Sequence, residues 1–544
     1  MTVKKFTFPL LVVAGVFLVT SLAVRSPVAA VARKPDGALA SPGADVSAVA
    51  QEVDRELGRL WAAHGLEPAE AADDLTILRR LSLALHGTIP SLEEIRRFEG
   101  DSSPDRLAIR VSEMLEDTRF SDYFAERLAR AFVSVDTGQF LIFRRDRFVE
   151  WLSESLRKRV PYDRLVREMI AAEGVWTGQP EVNFLTQAYA NDEFDYNKLA
   201  ARTARAFLGQ RIDCAQCHDH PFAEWKQSQF EELAACYGQV RLSPLGLNDA
   251  KDREFKVLDG DGTTEKVVAP GVPFSSEWMA AEGGRRTRLA EWVTHPKNER
   301  FARATVNRLW ALMFGKPYAA SRPVDDLPNP GDPATADDLR LLDLLARDFR
   351  DHGYDLRRTI RVIAASRAFR MSSVHPQAES DRLNDLEQHW AVFPLIRLRP
   401  EQVIGAMVQS SAIRTIDQNS HLFSRAIRFF RERDFVNEFG DPGDAELQER
   451  PSTIPQALLS MNGQFAEELA KPSPFNSSGR LGQVETTPER LLDDAFLICL
   501  TRHPTAEESA VLLPDLQKGD RPSEDSIQDL FWALFNAPEF CWNH

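Results

Sequence analysis

Cysteine is scarce: five residues in 544, odd in number and too sparse for the stapled scaffold that small exported domains use in place of a large core. An excess of positive charge is missing as well. The 66 Lys and Arg stand against 81 Asp and Glu, a formal net charge of −15, whereas binding nucleic acid needs clustered cations to neutralise phosphates. No nucleic-acid partner is expected. Neither His-Glu-x-x-His nor Gly-x-Ser-x-Gly occurs anywhere in the chain, so two complete signatures of hydrolytic enzymes are lacking. No apolar run of membrane-spanning length follows residue 24, and no internal repeat is evident.

What is present begins at the N-terminus. Lys4 and Lys5 precede a stretch from Phe6 to Val24 that is apolar except at Thr7, Pro9, Gly15, Thr20 and Ser21, and Ala29, Ala30 and Ala32 follow. A charged start, an apolar middle and small residues after it are the layout of a secretion signal. Residues 1–32 are therefore expected to be a signal peptide or, because the run is long enough to cross most of a bilayer, an uncleaved N-terminal anchor. Residues 33–45 read as a polar linker containing Pro and Gly. The mature protein is expected outside the cytoplasm, in the periplasm or at the cell surface, touching membrane only through that first segment.

A chain of 544 residues exceeds what one core usually organises, and its 43% hydrophobic content supports real cores. Helical signals dominate. Ser91 with Glu94 ahead of Leu92, Ile95 and Phe98 reads as a capping box on a one-sided helix, and Thr335 with Asp338 repeats the pattern before Leu341, Leu342, Leu345 and Phe349. Val306, Leu309, Trp310 and Met313 recur at helical spacing, and Gly315 with Pro317 supplies a stop. Between Arg241 and Phe274 the helical period lapses, and Glu254–Leu258 and Glu265–Ala269 around Gly260–Gly262 read as a hairpin. The chain is thus expected to be mainly α: two helix-rich domains, 46–240 and 281–544, with a small β insert or linker at 241–280 between them. Phe435–Ser452, rich in Asp, Gly, Pro and Glu, reads as an exposed loop. The charged runs Arg144–Arg147 and Arg428–Arg433 read as solvated, mixed-sign helix faces, and Asp325–Asp326 as a turn between prolines.

One run carries chemistry. Cys214-Ala-Gln-Cys217-His218 is the Cys-x-x-Cys-His pattern that covalent haem c attachment requires: two thiols a turn apart meet the two vinyl groups, and the next residue ligates iron. Asp219 and His220 follow directly, so a zinc or iron site is a second reading, drawing on His218, Asp219 and His220, or on Cys214, Cys217 and His220 with one distant ligand. A disulfide between Cys214 and Cys217 is the third. Cys236, Cys499 and Cys541 sit among apolar neighbours and read as small buried hydrophobes.

Phe207-Leu-Gly209, the run Cys214 to Phe222, and Trp225-Lys-Gln227, with Leu78-Arg-Arg80, Gly87, Pro90 and Tyr162-Asp163 upstream, resemble the cytochrome-like domain of unknown function abundant in planctomycetes. Arg288–Trp292, Asn307–Trp310, Phe314-Gly315, Asp325-Asp326, Ser366, Pro455–Leu458 with Asn462, and Thr501–Thr505 resemble the domain that usually follows it. This resemblance implies an exported helical protein whose cytochrome label rests on the same cysteine run, and it implies no particular activity. The chain departs from the pattern at Ala84, where an Asp is expected, and at His86, which replaces a small hydroxyl residue.

Three functions follow as alternatives. The first is haem c electron transfer or redox sensing, with a redox partner protein, Cys214 and Cys217 as tethers, His218 as proximal ligand, and His220, Met169 or Met371 as distal candidates. The second is a zinc- or iron-dependent hydrolase acting on an extracellular polymer, with His218, Asp219 and His220 around a metal-bound water. The third is a non-catalytic surface or binding module.

Overall fold

Ser91 begins its helix as the sequence indicates. Its hydroxyl accepts from the Glu94 amide at 3.1 Å, and the Glu94 carboxylate accepts from the Ser91 amide at 3.0 Å. The helix Leu92–Glu99 buries Leu92, Ile95 and Phe98. Helix Glu299–Phe314 likewise buries Val306, Leu309, Trp310 and Met313, and ends where Gly315, at φ 89°, donates to Ala311 O at 2.8 Å. A computed structural model describes residues 43–417 and 464–544, apart from 136–138, 140, 222, 259–263, 333, 334, 336, 377–379, 485, 486 and 520; between those stretches it describes Val436, Gly443 and Leu447 alone. The signal segment, Phe222, Gly260–Gly262, Arg428–Arg433, most of Phe435–Ser452 and Pro455–Asn462 lie outside the described residues.

The chain is mainly α, and its described strands form only two-stranded sheets. The expected hairpin pairs Phe255–Leu258 with Glu265–Val268, Phe255 opposite Val268. A second hairpin, Val240–Ser243 with Gly246–Asp249, precedes it. The sequence does not announce that one, because its strands are short and lack clean alternation. Its Gly246, at φ 108°, is needed: a Cβ there would stand 2.3 Å from the Gly174 carbonyl carbon. Leu247 and Gly174 exchange both backbone hydrogen bonds at 2.8 Å, which joins the hairpin to the N-terminal helices.

One expected start is displaced. Thr335 and Asp338 do not open a helix; the helix runs Arg340–Asp351 with no side-chain cap. Asp337 is engaged instead by Arg340 and Arg59, and Thr335 lies in a hydrogen-bonded turn whose amide donates to Asp332 O at 3.1 Å. A local turn bond holds Thr335, and ion pairs hold Asp337 beside the expected box, so the helix begins later than the pattern indicates.

Residues Ser41–His544 form one compact unit, in which helices from both sides of the β insert share a core. Buried arginines tie the two sides together. Arg79 donates to Cys499 O and Phe540 O, both at 3.2 Å. Arg80 donates to Phe369 O at 3.0 Å and Met371 O at 2.7 Å, with its guanidinium 3.6 Å above the Phe393 ring. Burial pushes the two guanidinium pKa values down, to about 10 and about 9; carbonyl acceptors and a ring face replace the water they lose. Arg286 ties the insert to the N-terminal helices, reaching Asp249 at 2.8 Å and Ala172 O at 2.6 Å. No helix among the described residues is long and apolar enough to cross a membrane.

Candidate functional site

The cysteine run hangs from a distorted helix end. Helix Tyr196–Thr203 loosens into a π turn over Ala204–Leu208 and stops at Gly209, whose φ of 61° disfavours a side chain and where a Cβ would crowd Ala304 at 3.1 Å and Leu327 at 3.3 Å. A π turn is costly and is often kept where backbone must be redirected at a functional site. Gly209 O then accepts from the Leu327 amide at 2.8 Å, Gln210 donates to Leu327 O at 2.8 Å, and Arg211 pairs with Asp325 at 2.8 Å. The segment entering the cysteine run is therefore strapped to the 325–327 loop. Asp325 is an ion-pair partner rather than a bare turn residue.

Asp213–Gln216 forms a single 3-10 turn, and Cys217 follows it with its amide 3.5 Å from Cys214 O. Such a turn sets residues three apart above one another. Cys214 and Cys217 are both exposed with free thiols, while Ile212 and Ala215 are buried beneath them. Asp213 accepts from Arg205 at 2.8 Å, which anchors the start of the turn.

His218 is exposed, and its Nδ1 lies 2.7 Å from Asp219 O. A carbonyl oxygen can only accept, so Nδ1 is the donor, and in the neutral ring Nε2 carries the lone pair. That is the tautomer a histidine needs to ligate through Nε2, with the other nitrogen fixed by an outer partner. Asp219 Oδ1 accepts from the Gln227 amide at 2.9 Å, and the His220 amide donates to Trp225 O at 2.8 Å, closing the loop onto helix Gln227–Ala235.

The structure thus brings Cys214, Cys217 and His218 together on one exposed turn. Asp219 serves the backbone of the next helix. Among the described residues, no three His, Cys, Asp or Glu side chains are gathered to hold a metal ion. Met169 and Met371 are core residues. Cys236 and Cys499 are buried and burial raises both thiols, Cys236 to about 12; Cys541, half-buried, is raised also. Ala84 packs in the core. His86 is buried with Nε2 3.1 Å from Met114 O, and burial, followed by the nearby Arg119, lowers its pKa to about 4.

From the sequence, Trp225 can be placed beside the turn because it follows closely, but Phe274, Trp278 and His295 cannot. Trp225 lies 6.4 Å from Phe274, Phe274 lies 6.1 Å from Trp278, and Trp278 stacks on His295 at 5.2 Å. All four rings are partly exposed. Their spacing along the chain follows no period, so nothing local could have grouped them.

Two family models match the chain in order. PSCyt2, a protein of unknown function (DUF1549), covers residues 52–242, and PSD1, a protein of unknown function (DUF1553), covers residues 285–514. No curated protein and no solved structure matches. The chain is therefore a PSCyt2 domain followed by a PSD1 domain, two families of unknown function whose order here is the one its cysteine run and its Asn307–Trp310 segment resemble.

Proposed function

We propose that this is an exported protein that carries haem c, for electron transfer or redox sensing. The observation that carries the reading is the state of the turn: two free, exposed thiols three residues apart, followed by an imidazole whose Nδ1 is held by Asp219 O. This donor set fits a haem tether. Cys214 and Cys217 would hold the haem through thioethers, and His218 Nε2 would ligate its iron. When bound, the haem supplies one-electron redox chemistry. The chain's own residues do the positioning: Asp219 O sets the imidazole ring, and the Asp219 carboxylate, bonded to Gln227 N, sets Asp219. The same set is short of a closed metal site, which takes four protein ligands. Export is part of the proposal, because Lys4, Lys5 and the apolar run that follows have the layout of a secretion signal, and haem is attached to such motifs outside the cytoplasm.

The test is an absorption spectrum of the full chain made in a host with an active cytochrome c maturation system. A Soret band that survives denaturation and acid extraction is expected, and Cys214→Ala with Cys217→Ala should abolish it. Colourless protein from such a host would overturn the reading.

A further inference from the structure

Both flanks of the cysteine turn converge on one arginine. After the turn, the chain passes through Trp225, whose ring lies 5.8 Å from the Arg300 guanidinium; Phe274, next to Trp225, lies 4.3 Å from it. Before the turn, Gly209–Arg211 are strapped to the 325–327 loop, and that loop continues to Asn329, whose Oδ1 accepts from Arg300 Nη2 at 3.0 Å. Arg300 thus stands between the segment that enters the turn and the segment that leaves it.

Its own bonding is incomplete. Arg300 forms no ion pair with a carboxylate among the described residues, and its buried Nε has no hydrogen-bond partner. Arg303, the next arginine on the same helix, is matched by Asp343 at 2.8 Å. Burial, and then the charge of Arg303, push Arg300 down to about 10. A desolvated guanidinium beside a second cation is costly without a carboxylate partner, and two aromatic faces with one amide offset only part of that cost. A planar fork beside flat aromatic walls matches a carboxylate carried on a flat, apolar ligand.

We infer that Arg300 is the seat for a carboxylate of the planar group held at the cysteine turn, with Trp225 and Phe274 as the surface beside it. The inference rests on the haem reading, in which that carboxylate is a haem propionate. Arg300 is then a positioning residue. It orients the ring plane and neutralises a propionate, and it ligates nothing.

The experiment uses full-length protein from a maturation-competent host, as wild type, Arg300→Lys and Arg300→Gln. Covalent haem is measured first, by the pyridine haemochrome spectrum. If wild type takes none, the haem reading and this inference fall together. If haem is attached, redox titration reads the role of Arg300. Removing the cation leaves a propionate charge uncompensated near the iron, so Arg300→Gln should shift the oxidised-to-reduced ratio at fixed potential about tenfold toward oxidised, about 59 mV for a one-electron couple. Arg300→Lys, a point charge without the fork, should shift it less. Equal ratios in all three proteins, with haem attached, would overturn the role of Arg300 and leave the haem reading standing. Should Arg300→Gln fail to fold, the resonance Raman propionate-bending band of wild type decides. A band at the ion-paired position supports the inference, and one at the free, solvated position overturns it.

Discussion

Asp219 Oδ1 accepts a hydrogen bond from the backbone amide of Gln227 at 2.9 Å, closing the loop that carries His218 and His220 onto the first turn of helix Gln227–Ala235. The carboxylate thus does what a helix cap does, from eight residues upstream. Asp219→Asn keeps the oxygen and should leave stability nearly unchanged. Asp219→Ala removes it and should cost about 1 kcal/mol, the usual worth of a cap, together with faster proteolytic cleavage within 217–226. Urea titration and limited proteolysis check both. Equal loss in the two variants would assign the role to charge rather than to the bond.

The thiols should divide by burial. In the haem-free protein Cys214 and Cys217, both exposed, should react with a maleimide under native conditions, whereas Cys236 and Cys499, both buried with raised pKa, should react only on unfolding. A thiolate is the reacting species, and burial withholds both it and access. Mass spectrometry of tryptic peptides reads the order of modification. Early labelling of Cys499 would contradict the packing of helix Pro488–Leu500.

Glu94 should anchor acid stability. It is buried and receives Arg110 at 2.5 Å and Arg119 at 2.8 Å. Burial by itself would raise its carboxyl, but Arg119 and Arg110 overcome that and hold it far below the usual range. With a folded pKa below the unfolded value, its contribution is present above about pH 4.3 and is lost as pH falls toward the folded pKa. Glu94→Gln leaves Arg110 with Glu113 alone and Arg119 with Asp117 alone, and should destabilise by about 1–3 kcal/mol. Chemical denaturation at neutral pH measures this, and a loss under 1 kcal/mol would refute it.

His503 should work in the opposite direction. Its ring nitrogens face Asp493 at 2.5 Å and Glu99 at 2.8 Å, a geometry that favours the protonated ring, and the Asp493 hydrogen bond foremost raises its pKa. A raised folded pKa means stability fully present below about pH 6.5 and lost as pH rises through the folded value. The ring is partly exposed, so solvent screening limits the effect to under about 1 kcal/mol. His503→Gln should flatten the slope of stability between about pH 6 and 8, the range in which imidazole titrates. An NMR titration giving His503 a pKa below 6.5 would reverse the sign.

Much of this protein is local and was legible as such. The capping box at Ser91, the buried face Val306–Met313 with its Gly315 stop, and the hairpin around 255–268 all follow from rules that act within a few residues. Cys214, Cys217 and His218 are local too, since one backbone turn is enough to bring them together. The false helix start at Thr335 shows where such rules stop. The pattern for a cap was present, but Thr335 lies in a turn, its neighbour Asp337 pairs with Arg340 and Arg59, and the helix starts only at Arg340.

What the sequence by itself determined is the inventory: the helical periods, the caps and the one run of thiols and imidazole. Only the tertiary structure decided what surrounds that run. Trp225, Phe274, Arg300 and Asn329 are spread over more than a hundred residues and belong to different elements, yet they meet beside the turn. Arg79 and Cys499, 420 positions apart, share a hydrogen bond. Helix and turn formation are driven by bonds that close over three or four residues, which a sequence displays. The pairing of distant side chains depends on which helix faces find one another during burial of apolar surface, a non-directional force that leaves no periodic trace in the chain.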